Sequence, residues 1–331
     1  MVDNKLFFKL ENSLGKGRVL QDEILANHCT WRIGGPAKFW FEAKTSAELI
    51  LAIKSANEFR LPFFILGGGT NVLFSDKGFN GIIIKNSSAN IKLLGVSGKK
   101  GNDGVWQKVF VEADSGVSFN RLVRFTLDEG LSNLEYFLGQ PGSVGGALYI
   151  NAHFPKQNKF VGDYLRSAKL INLKGDLRSV SSDYFQYGYD ASKIQSTKEI
   201  VLSATFELIR STKEKVWKIG NETIKYRQET QPQGFSTAGC TFRNITRAES
   251  LIVSSPNLTQ SAGFLIDQCG LKGYSINGAQ ISENHANFIL NKGNAKAKDV
   301  IALMKLCKES VRAKFGVDLK EEIILVGDFD G

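Results

Sequence analysis

The feature that most constrains this chain is a glycine-rich loop set between two apolar segments. Residues 66–76 read LGGGTNVLFSD. Leu66 is also the last residue of the apolar run FFIL (63–66), which Pro62 introduces. Such a run, with a turn on each side, predicts a short buried strand. The glycines allow positive φ and close approach to a ligand, and their N–H groups can form a nest for a phosphate. A glycine-rich turn that binds nothing is the alternative, because a short glycine run is a weak signal.

The spacing around this loop argues against a dinucleotide-binding Rossmann unit. No Gly-x-Gly-x-x-Gly leads into an amphipathic helix; the loop is followed by VLF at 72–74, a turn at 76–78 and the apolar run III at 82–84. The predicted phosphate loop therefore lies between two strands, whereas the Rossmann loop joins a strand to a helix.

A second glycine-rich segment makes the first one more informative. Residues 139–147 read GQPGSVGGA and are followed by Asn151. We expect a long loop here, with few side chains except Ser and Asn donors. Two such segments indicate a single extended ligand, containing a diphosphate, that lies between them.

Composition narrows the class of protein. A chain of 331 residues, 42% hydrophobic and 23% charged, is globular and large enough for two or three domains. No apolar run reaches the roughly 18 residues of a membrane helix, and the start, MVDNK, lacks a signal-peptide pattern. We therefore expect a cytoplasmic protein with no membrane partner. Its four cysteines, at 29, 240, 269 and 307, show no metal-ligand spacing, so we expect reduced thiols and no metal site.

The chain is basic, with a net charge of +9. This charge either keeps the surface soluble or attracts polyanionic small molecules. Nucleic acid is not expected as a partner, because the Lys and Arg residues are dispersed and no nucleic-acid-binding module is recognisable.

Hydrophobic periodicity predicts the main elements. A capping box at 45–48 begins one helix; others are expected from Ser118 to a stop at Gly130, over 212–228, and over 294–315 with Cys307 on the core face. Strands are expected at 109–111, 168–173, 177–180, 200–208 and 321–326. Residues 1–20 show no clear pattern, and polar residues 86–104 indicate a boundary with little core content.

Seven motifs occur in an order that resembles the UDP-N-acetylenolpyruvoylglucosamine reductase family. They are TWRIGGPA (30–37), the 67–76 loop, residues 141–151, AGCTFRN (238–244), residues 261–266, GAQIS (278–282) and HANF (285–288). The resemblance runs over nearly the whole chain, and it is the order of the motifs that makes it specific.

This resemblance implies an α+β protein of three domains. Residues 1–86 and 87–210 would form the two parts of an FAD-binding fold of the vanillyl-alcohol-oxidase (PCMH) type. Residues 211–317 would form an α+β substrate-binding domain, with residues 318–331 able to return to the first part. The chain is similar to the family members that lack the extra tyrosine-loop insertion, and we expect a monomer or a weak oligomer.

The implied activity is NADPH-dependent, FAD-mediated reduction of UDP-N-acetylglucosamine enolpyruvate to UDP-N-acetylmuramate. This is a step of peptidoglycan synthesis, and hence of cell-wall biogenesis, cell shape and division. The cofactors would be FAD and NADPH, and the partner a small UDP-sugar. Two alternatives stay open: another FAD oxidoreductase of the same fold acting on a sugar or lactone, or a catalytically impaired nucleotide-binding relative.

The family's functional positions carry over to matching residues of this chain. FAD-binding positions are Thr30, Arg32, Ile33, Gly34, Gly35, Gly67, Gly68, Gly69, Thr70, Asn71, Gly139, Pro141, Gly142, Ser143, Gly145, Gly146, Ala147 and Asn151. Substrate-binding positions are Tyr189, Arg227, Arg243, Asn244, Gln280, His285 and Asn287. A lone histidine such as His285 is, without the motif, more often a structural residue.

Two residues are expected to be catalytic. Cys240 stands where family members commonly carry a serine proton donor, and a thiol can also protonate a carbanion; the alternative is a small buried hydrophobe. Glu322 matches a C-terminal glutamate that assists at the enol carboxylate, with a solvated edge charge as the alternative. Because strand residues alternate in direction, only one of Glu321 and Glu322 can face the site.

The chain also departs from the family pattern. Asp190 replaces an arginine that helps to stabilise negative charge on the substrate, and a carboxylate there would repel a developing anion. Either Asp190 points away while Lys193, Arg227 or Arg243 supplies the cation, or activity is reduced. Thr70 replaces a serine, and residues 153–155 (HFP) interrupt a glycine-rich continuation.

Overall fold

The computed structural model describes residues 2–98, 107–253 and 255–329. Its helices are α1 Val2–Leu14, α2 Ser46–Glu58, α3 Phe119–Asp128, α4 Val144–Ile150, α5 Lys193–Thr197, α6 Lys213–Thr230, α7 Arg247–Ile252, α8 Ala262–Gln268 and α9 Ala297–Phe315. Its strands are β1 Val19–Ile24, β2 Pro36–Ala43, β3 Phe63–Leu66, β4 Val72–Phe74, β5 Phe79–Asn86, β6 Ile91–Ser97, β7 Lys108–Asp114, β8 Leu131–Ser132, β9 His153–Phe154, β10 Lys159–Phe160, β11 Leu165–Ile171, β12 Leu177–Ser181, β13 Ile200–Arg210, β14 Ser275–Ile276, β15 Ala279–Ile281, β16 Ile289–Asn291 and β17 Ile324–Val326.

These elements form two compact units, each drawn from three stretches of the chain. The first unit comprises Met1–Gln21, Phe39–Gly68 and Gly81–Arg227. The second comprises Asp22–Lys38, Gly69–Asn80 and Gln228–Gly331. The division between them falls inside the first glycine-rich loop, after Gly68. The three-domain division of the sequence stays a prediction.

The first unit is built on an antiparallel sheet with strand order β12-β11-β13-β7-β6, and β8 pairs with β13. Alternation in β7 buries Val109, Val111 and Ala113 on one face. These side chains pack in a core with residues of α3 such as Phe119 and Leu122. The strands predicted at 168–173 and 177–180 are confirmed, and they form a hairpin in which β11 and β12 pair with Ile171 opposite Leu177.

A smaller sheet, with order β1-β2-β5-β3, contains the strand that leads into the glycine loop. β3 and β5 are parallel, and residues 67–78, which contain the glycine loop and β4, supply the long crossover that parallel neighbours need. Helix α2 begins at Thr45, whose hydroxyl accepts from the Glu48 N–H at 3.1 Å. Only half of the predicted capping box forms, because the Glu48 carboxylate accepts from the Lys44 N–H and from Arg18.

The second unit contains α7 to α9, the three-stranded sheet β14-β15-β16 and the parallel pair β4–β17. Helix α9 starts where the two carboxylate oxygens of Asp76 accept from the N–H groups of Ala297 and Lys298, at 2.8 and 3.1 Å. It ends at Gly316, with φ of +69°. The predicted helix over 294–315 is confirmed, and Cys307 on it is 1% exposed.

One expectation from the sequence needs correction, and two other segments contain elements that it did not predict. The second glycine-rich segment is not a continuous loop, because residues 144–150 form α4, which Ser143 caps by accepting from the Gly146 N–H. Residues 1–20 contain α1, whose Leu10 and Leu14 are buried against α2. The segment expected to have little core content, 86–104, includes β6, which lies at the sheet edge and is mostly exposed; residues 99–104 lie outside the described part of the chain.

Within the described part of the chain, no helix has both the length and the apolar character to cross a membrane.

Candidate active site

In the second unit, the end of the glycine loop packs closely against two turns. The N–H of Thr30 donates to the Gly69 carbonyl at 2.9 Å. A Cβ on Gly69, where φ is +66°, would lie 2.2 Å from the His28 carbonyl oxygen. A Cβ on Gly35 would lie 2.2 Å from the Asp76 carbonyl oxygen. Glycine is therefore required here for backbone packing, in addition to any contact with a ligand.

We expect Gly78→Ala to lower the free energy of unfolding by about 3 kcal/mol or more. Gly78 has φ of +80°, and a Cβ there would lie 1.8 Å from the Pro36 carbonyl oxygen. Gly17 is the matched control, because its φ is +75° and a Cβ there would meet no described atom within 4 Å. Gly17→Ala should cost about 1 kcal/mol, from backbone strain alone. Urea unfolding followed by circular dichroism measures both; equal losses would show that the clash at Gly78 is relieved.

Asn71, at the end of the same loop, holds the C-terminal segment. Its side-chain Nδ2 donates to the Glu322 carbonyl at 3.1 Å, and its own carbonyl accepts from the Ile324 N–H at 3.0 Å. The Glu322 N–H donates to the Thr241 carbonyl at 2.9 Å. The glycine loop, the segment carrying Cys240 and the segment carrying Glu322 therefore meet in one unit.

Cys240 lies in the second unit beside a carboxylate and an amide. Burial, and secondly the negative charge of Glu322, raise the pKa of the Cys240 thiol well above its usual value, while a hydrogen bond with the Asn287 side chain lowers it. Burial and an adjacent negative charge both disfavour the thiolate. The thiol therefore keeps its proton at neutral pH, as a proton donor must.

The two adjacent glutamates have different surroundings. Glu321 forms an ion pair with Lys308 of α9, whereas the charge of Glu322 acts on Cys240. Both side chains are partly buried. The predicted strand over 321–326 forms only from Ile324 to Val326, but the neighbouring glutamates still point to different partners.

Asn287 fixes the backbone around Cys240. It is 2% exposed, and its side chain accepts from the Phe242 N–H at 2.9 Å and donates to the Phe242 carbonyl at 2.7 Å. His285 supports Asn287, because its Nδ1 accepts from the Asn287 N–H at 3.3 Å. Burial lowers the pKa of His285, which favours the neutral ring. Both residues stabilise the site in this structure, and substrate contact by either one stays a prediction.

The other predicted substrate residues of this unit also have backbone partners. Arg243 Nε donates to the Glu321 carbonyl at 3.2 Å, and Gln280 Nε2 donates to the Gly273 carbonyl at 3.1 Å. Asn244 Oδ1 accepts from the Ala262 N–H, at the start of α8, at 3.1 Å.

In the first unit the two glycine-rich segments meet. A Cβ on Gly67 would lie 2.3 Å from the Ser143 hydroxyl oxygen, so only glycine allows this approach. Gly139 and Gly142 have φ of +82° and +110°, in the left-handed region that favours glycine. The predicted FAD-binding residues Pro141, Gly145, Gly146 and Ala147 belong to the same turn and to α4.

The far end of α4 lies beside the loop that carries Tyr189 and Asp190. Asn151 closes the helix with φ of +52° and is 4% exposed. Tyr189 is 37% exposed, whereas Asp190 is 3% exposed with φ of +47°. The His153 ring packs edge-on against the Tyr189 ring, with centroids 4.9 Å apart.

Arg227, one of the cations considered as a replacement for the missing arginine, lies in the first unit with Tyr189 and Asp190. Its guanidinium donates to Gln140 Oε1 at 3.3 Å and lies 5.6 Å from the centre of the Phe154 ring. Burial lowers the pKa of Arg227, so its surroundings disfavour the positive charge. Arg227 also lowers the pKa of His153, where burial is the larger cause.

The predicted site residues thus divide between the two units. Thr30, Arg32, Ile33, Gly34, Gly35, Gly69, Thr70, Asn71, Cys240, Arg243, Asn244, Gln280, His285, Asn287 and Glu322 lie in the second. The first contains Gly67, Gly68, Gly139, Pro141, Gly142, Ser143, Gly145, Gly146, Ala147, Asn151, Tyr189 and Arg227.

Sequence reasoning did not identify Asp76 as the cap of α9 or His153 as a neighbour of Tyr189. An Asp at the end of a glycine loop can signal a helix cap, but its helix lies 221 positions away.

The residues present fit a flavin cofactor with a diphosphate. Gly68 and Gly146 are exposed and carry no side chain, so their backbones are accessible to a phosphate. Gly67 packs so tightly on Ser143 that the two segments form one glycine-lined surface in the first unit. Thr70 and Asn71, which belong to the second unit, stay predicted side-chain donors.

Two family models match the chain. The first is described as "FAD binding domain" and matches residues 37–181. The second is described as "UDP-N-acetylenolpyruvoylglucosamine reductase, C-terminal domain" and matches residues 231–326. The second match includes Cys240 and Glu322.

Relatives and solved structures agree with these models. The chain is 35% identical to UDP-N-acetylenolpyruvoylglucosamine reductase of Chlamydia abortus over 91% of this chain and 92% of the relative, and 37% identical to that of Protochlamydia amoebophila over 91% of each. The structure resembles UDP-N-acetylenolpyruvylglucosamine reductase from Thermus caldophilus, with a TM-score of 0.71, 28% identity and coverage of 93% and 98%. A flavoprotein of the vanillyl-alcohol-oxidase type from Myceliophthora thermophila matches with a TM-score of 0.55 at 10% identity, over 93% and 85%, which shows a shared fold alone.

Proposed function

The chain belongs to the UDP-N-acetylenolpyruvoylglucosamine reductase family, and from this membership we propose that it reduces UDP-N-acetylglucosamine enolpyruvate to UDP-N-acetylmuramate. It is a flavin-dependent oxidoreductase of peptidoglycan synthesis with an α+β fold of the vanillyl-alcohol-oxidase type. NADPH as the reductant and a cytoplasmic location are parts of the proposal.

One observation carries the proposed chemistry. Asn71 of the glycine loop binds the backbone of Glu322, and the charge of Glu322 acts on the thiol of Cys240. A proton donor, a carboxylate and part of the predicted cofactor loop therefore lie together in the second unit. Reduction of a double bond conjugated to a carboxylate needs a hydride at one carbon and a proton at the other.

Bound FAD, reduced by NADPH, would supply the hydride. Gly67–Asn71 and Gly139–Ala147 would hold the cofactor through backbone N–H groups and the Ser143, Thr70 and Asn71 side chains. Cys240 would then donate its proton to the carbanionic carbon, and its raised pKa keeps that proton available at neutral pH. The thiolate would recover a proton from solvent before the next turnover.

Glu322 would act in two ways. Its negative charge disfavours the Cys240 thiolate, which keeps the donor protonated. It would also assist at the enol oxygen of the substrate, as the family resemblance implies. Hydrogen bonds with Thr241 and Asn71 fix the backbone of Glu322, and this fixes the point from which its side chain extends.

We assign the cation that replaces the missing arginine to Arg227. Lys193 lies with its Nζ 4.5 Å from the centre of the Tyr184 ring, and Arg243 binds the Glu321 carbonyl in the other unit. Arg227 is in the same unit as Asp190 and Tyr189, and burial lowers its pKa. An anionic substrate group beside it would reverse that effect, because opposite charges stabilise one another most where water is excluded.

We expect Arg227→Ala to lower kcat/KM about 100-fold, because it removes a partly buried cation from an anionic substrate. Lys193→Ala and Arg243→Ala should change kcat/KM less, with Lys193→Ala within about threefold. Arg227→Lys is the charge-conserving control and should recover part of the loss. Steady-state kinetics measures all four variants; equal activity in the three alanine variants would contradict the assignment.

Anaerobic mixing tests the proposed reaction directly. The purified protein should be yellow, lose its visible flavin absorbance with NADPH, and regain it when UDP-N-acetylglucosamine enolpyruvate is added. Flavin that a sugar or lactone reduces, and that oxygen or an acceptor protein then reoxidises, would instead indicate another oxidoreductase of this fold. Bound flavin that keeps its absorbance with NADPH would indicate a catalytically impaired relative. This outcome is tested because Asp190, which replaces the family arginine, is buried. A preparation that neither contains nor takes up FAD would contradict the proposal.

A further inference from the structure

The C-terminal end of α4 is tied to the loop of residues 188–191 by side chains from both sides. Asn151 Nδ2 donates to the Gly188 carbonyl at 3.0 Å, and Asn151 Oδ1 accepts from the Gly162 N–H at 3.0 Å. With 4% of its surface exposed, Asn151 has both ends of its amide occupied by protein backbone. This environment differs from that expected of a residue that contacts FAD.

Residues just after the loop also form hydrogen bonds with α4. Ser192 Oγ and Gln195 Nε2 both donate to the Tyr149 carbonyl in α4, at 2.5 and 2.9 Å. Gln195 Nε2 also donates to the Asp190 carbonyl at 3.1 Å. We use the name loop clamp for Asn151, Ser192 and Gln195.

The loop held by this clamp is a tight turn. Gly188 and Ala191 pair with each other, with the Gly188 N–H donating to the Ala191 carbonyl at 3.0 Å. Tyr189 and Asp190 therefore stand at its tip, and Asp190 adopts a left-handed φ of +47°. The edge-on contact between His153 and Tyr189, at 4.9 Å, supports the tip from the strand that follows Asn151.

The other end of α4 carries the predicted cofactor residues. Ser143, which caps the helix, packs on Gly67, and the Gly145 N–H donates to the Ser115 carbonyl at 2.8 Å. A helix of seven residues is about 10 Å long. It therefore sets a fixed spacing, within the first unit, between the glycine-rich turn and the Tyr189 tip.

We propose that the loop clamp is a positioning device: Asn151, Ser192 and Gln195 hold the Tyr189–Asp190 tip at a fixed distance from the glycine-rich turn, and so set the affinity for the UDP-sugar substrate. Asn151 is thereby a positioning residue and makes no contact with FAD. This inference rests on the proposed function, since it takes Tyr189 as a substrate-side residue.

Two sets of variants test the clamp from its two sides. Asn151→Asp keeps the acceptor for Gly162 and tolerates a left-handed φ, but it loses the donor to Gly188. Ser192→Ala combined with Gln195→Met removes both bonds to Tyr149 and leaves Asn151 intact. Ser196→Ala is the matched control, because its hydroxyl donates to the Lys193 carbonyl and makes no tie to α4.

Each clamp variant should raise KM for the enolpyruvyl substrate about tenfold, the effect of one or two lost hydrogen bonds, with kcat changed much less. The dissociation constant for FAD should stay within about twofold of the parent value, because the clamp does not act on the cofactor. Ser196→Ala should match the parent in all three quantities. A clear loss of FAD affinity in Asn151→Asp, or an unchanged KM in both clamp variants, would overturn the proposal.

Hydrogen exchange separates failure of the clamp from failure of the proposed function. The Ala191 N–H, bonded to the Gly188 carbonyl at 3.4 Å, should exchange about tenfold faster in both clamp variants, while amides of residues 67–68 keep the parent rate. An unmodified protein that does not reduce the substrate would contradict the proposed function. Unchanged exchange at residues 188–191 would contradict the clamp, whether or not the protein is active.

Discussion

Cys240→Ala should lower the rate constant for substrate reduction about 1,000-fold, since a positioned general acid contributes typically a factor of 10² to 10⁴. The reason is the protonated thiol described above, whose raised pKa comes from burial and from Glu322. Flavin reduction by NADPH does not need this proton and should proceed at a nearly unchanged rate. Stopped-flow absorbance measures the two half-reactions separately. Equal loss in both would indicate damage to the cofactor site and would contradict a role in proton transfer.

Cys240→Ser is the matched control for this prediction. A hydroxyl can also donate a proton, so much of the activity should return. The pH dependence then distinguishes the two donors: in the parent, the rate should fall as pH rises through the raised pKa of Cys240, because the thiolate has no proton to give. A serine hydroxyl stays protonated over that range, so the alkaline decline should disappear. An identical decline in both proteins would assign it to another group.

Glu322→Gln should lower kcat about 100-fold, because it removes the carboxyl group that is proposed to assist at the enol oxygen of the substrate. It should also lower the pKa of Cys240, since the negative charge of Glu322 helps to raise it. The alkaline decline in rate should therefore begin at lower pH than in the parent. Glu321→Gln is the neighbouring control, because Glu321 pairs with Lys308 on α9. Similar kinetics for the two variants would contradict the assignment of Glu322.

Much of the fold could be predicted from local patterns. The glycine loop between the strands β3 and β5, the hairpin of β11 and β12, and the long helix α9 all follow from apolar runs or periodicity bounded by turn residues. Cys307 was placed in the core by its position on the apolar side of α9, and it is buried there. These elements specify their own conformation within a few residues, so the sequence contains the signal.

The elements that were missed depend on partners far away in the chain. Gly145 and Gly146 disfavour a helix, yet α4 forms because Ser143 caps it and its N–H groups bind residues of the 115–117 turn. Helix α1 has a weak pattern and is fixed by burying Leu10 and Leu14. β6 forms because β7 supplies its hydrogen bonds. Tertiary contacts of this kind override local preference.

The candidate site shows the same division. The motifs indicated which segments carry the predicted site residues. They did not predict that the side-chain amides of Asn151 and Asn287 form hydrogen bonds with backbone groups of the protein. The resemblance selected Glu322 over Glu321, but strand alternation alone could not, because β17 begins only at Ile324. Side-chain direction at the end of an element depends on the packing of its neighbours.

The parallel pairing of β4 with β17 also constrains how the molecule forms. Asn71 and the Glu322 carbonyl that it binds are 251 positions apart in sequence, so the entropy of closing this very long loop opposes their meeting. During synthesis the ribosome releases the glycine loop long before its C-terminal partner. The nascent chain must therefore hold an unpaired β4 edge for most of translation, and the acid–carboxylate pair can assemble only as one of the last events of folding.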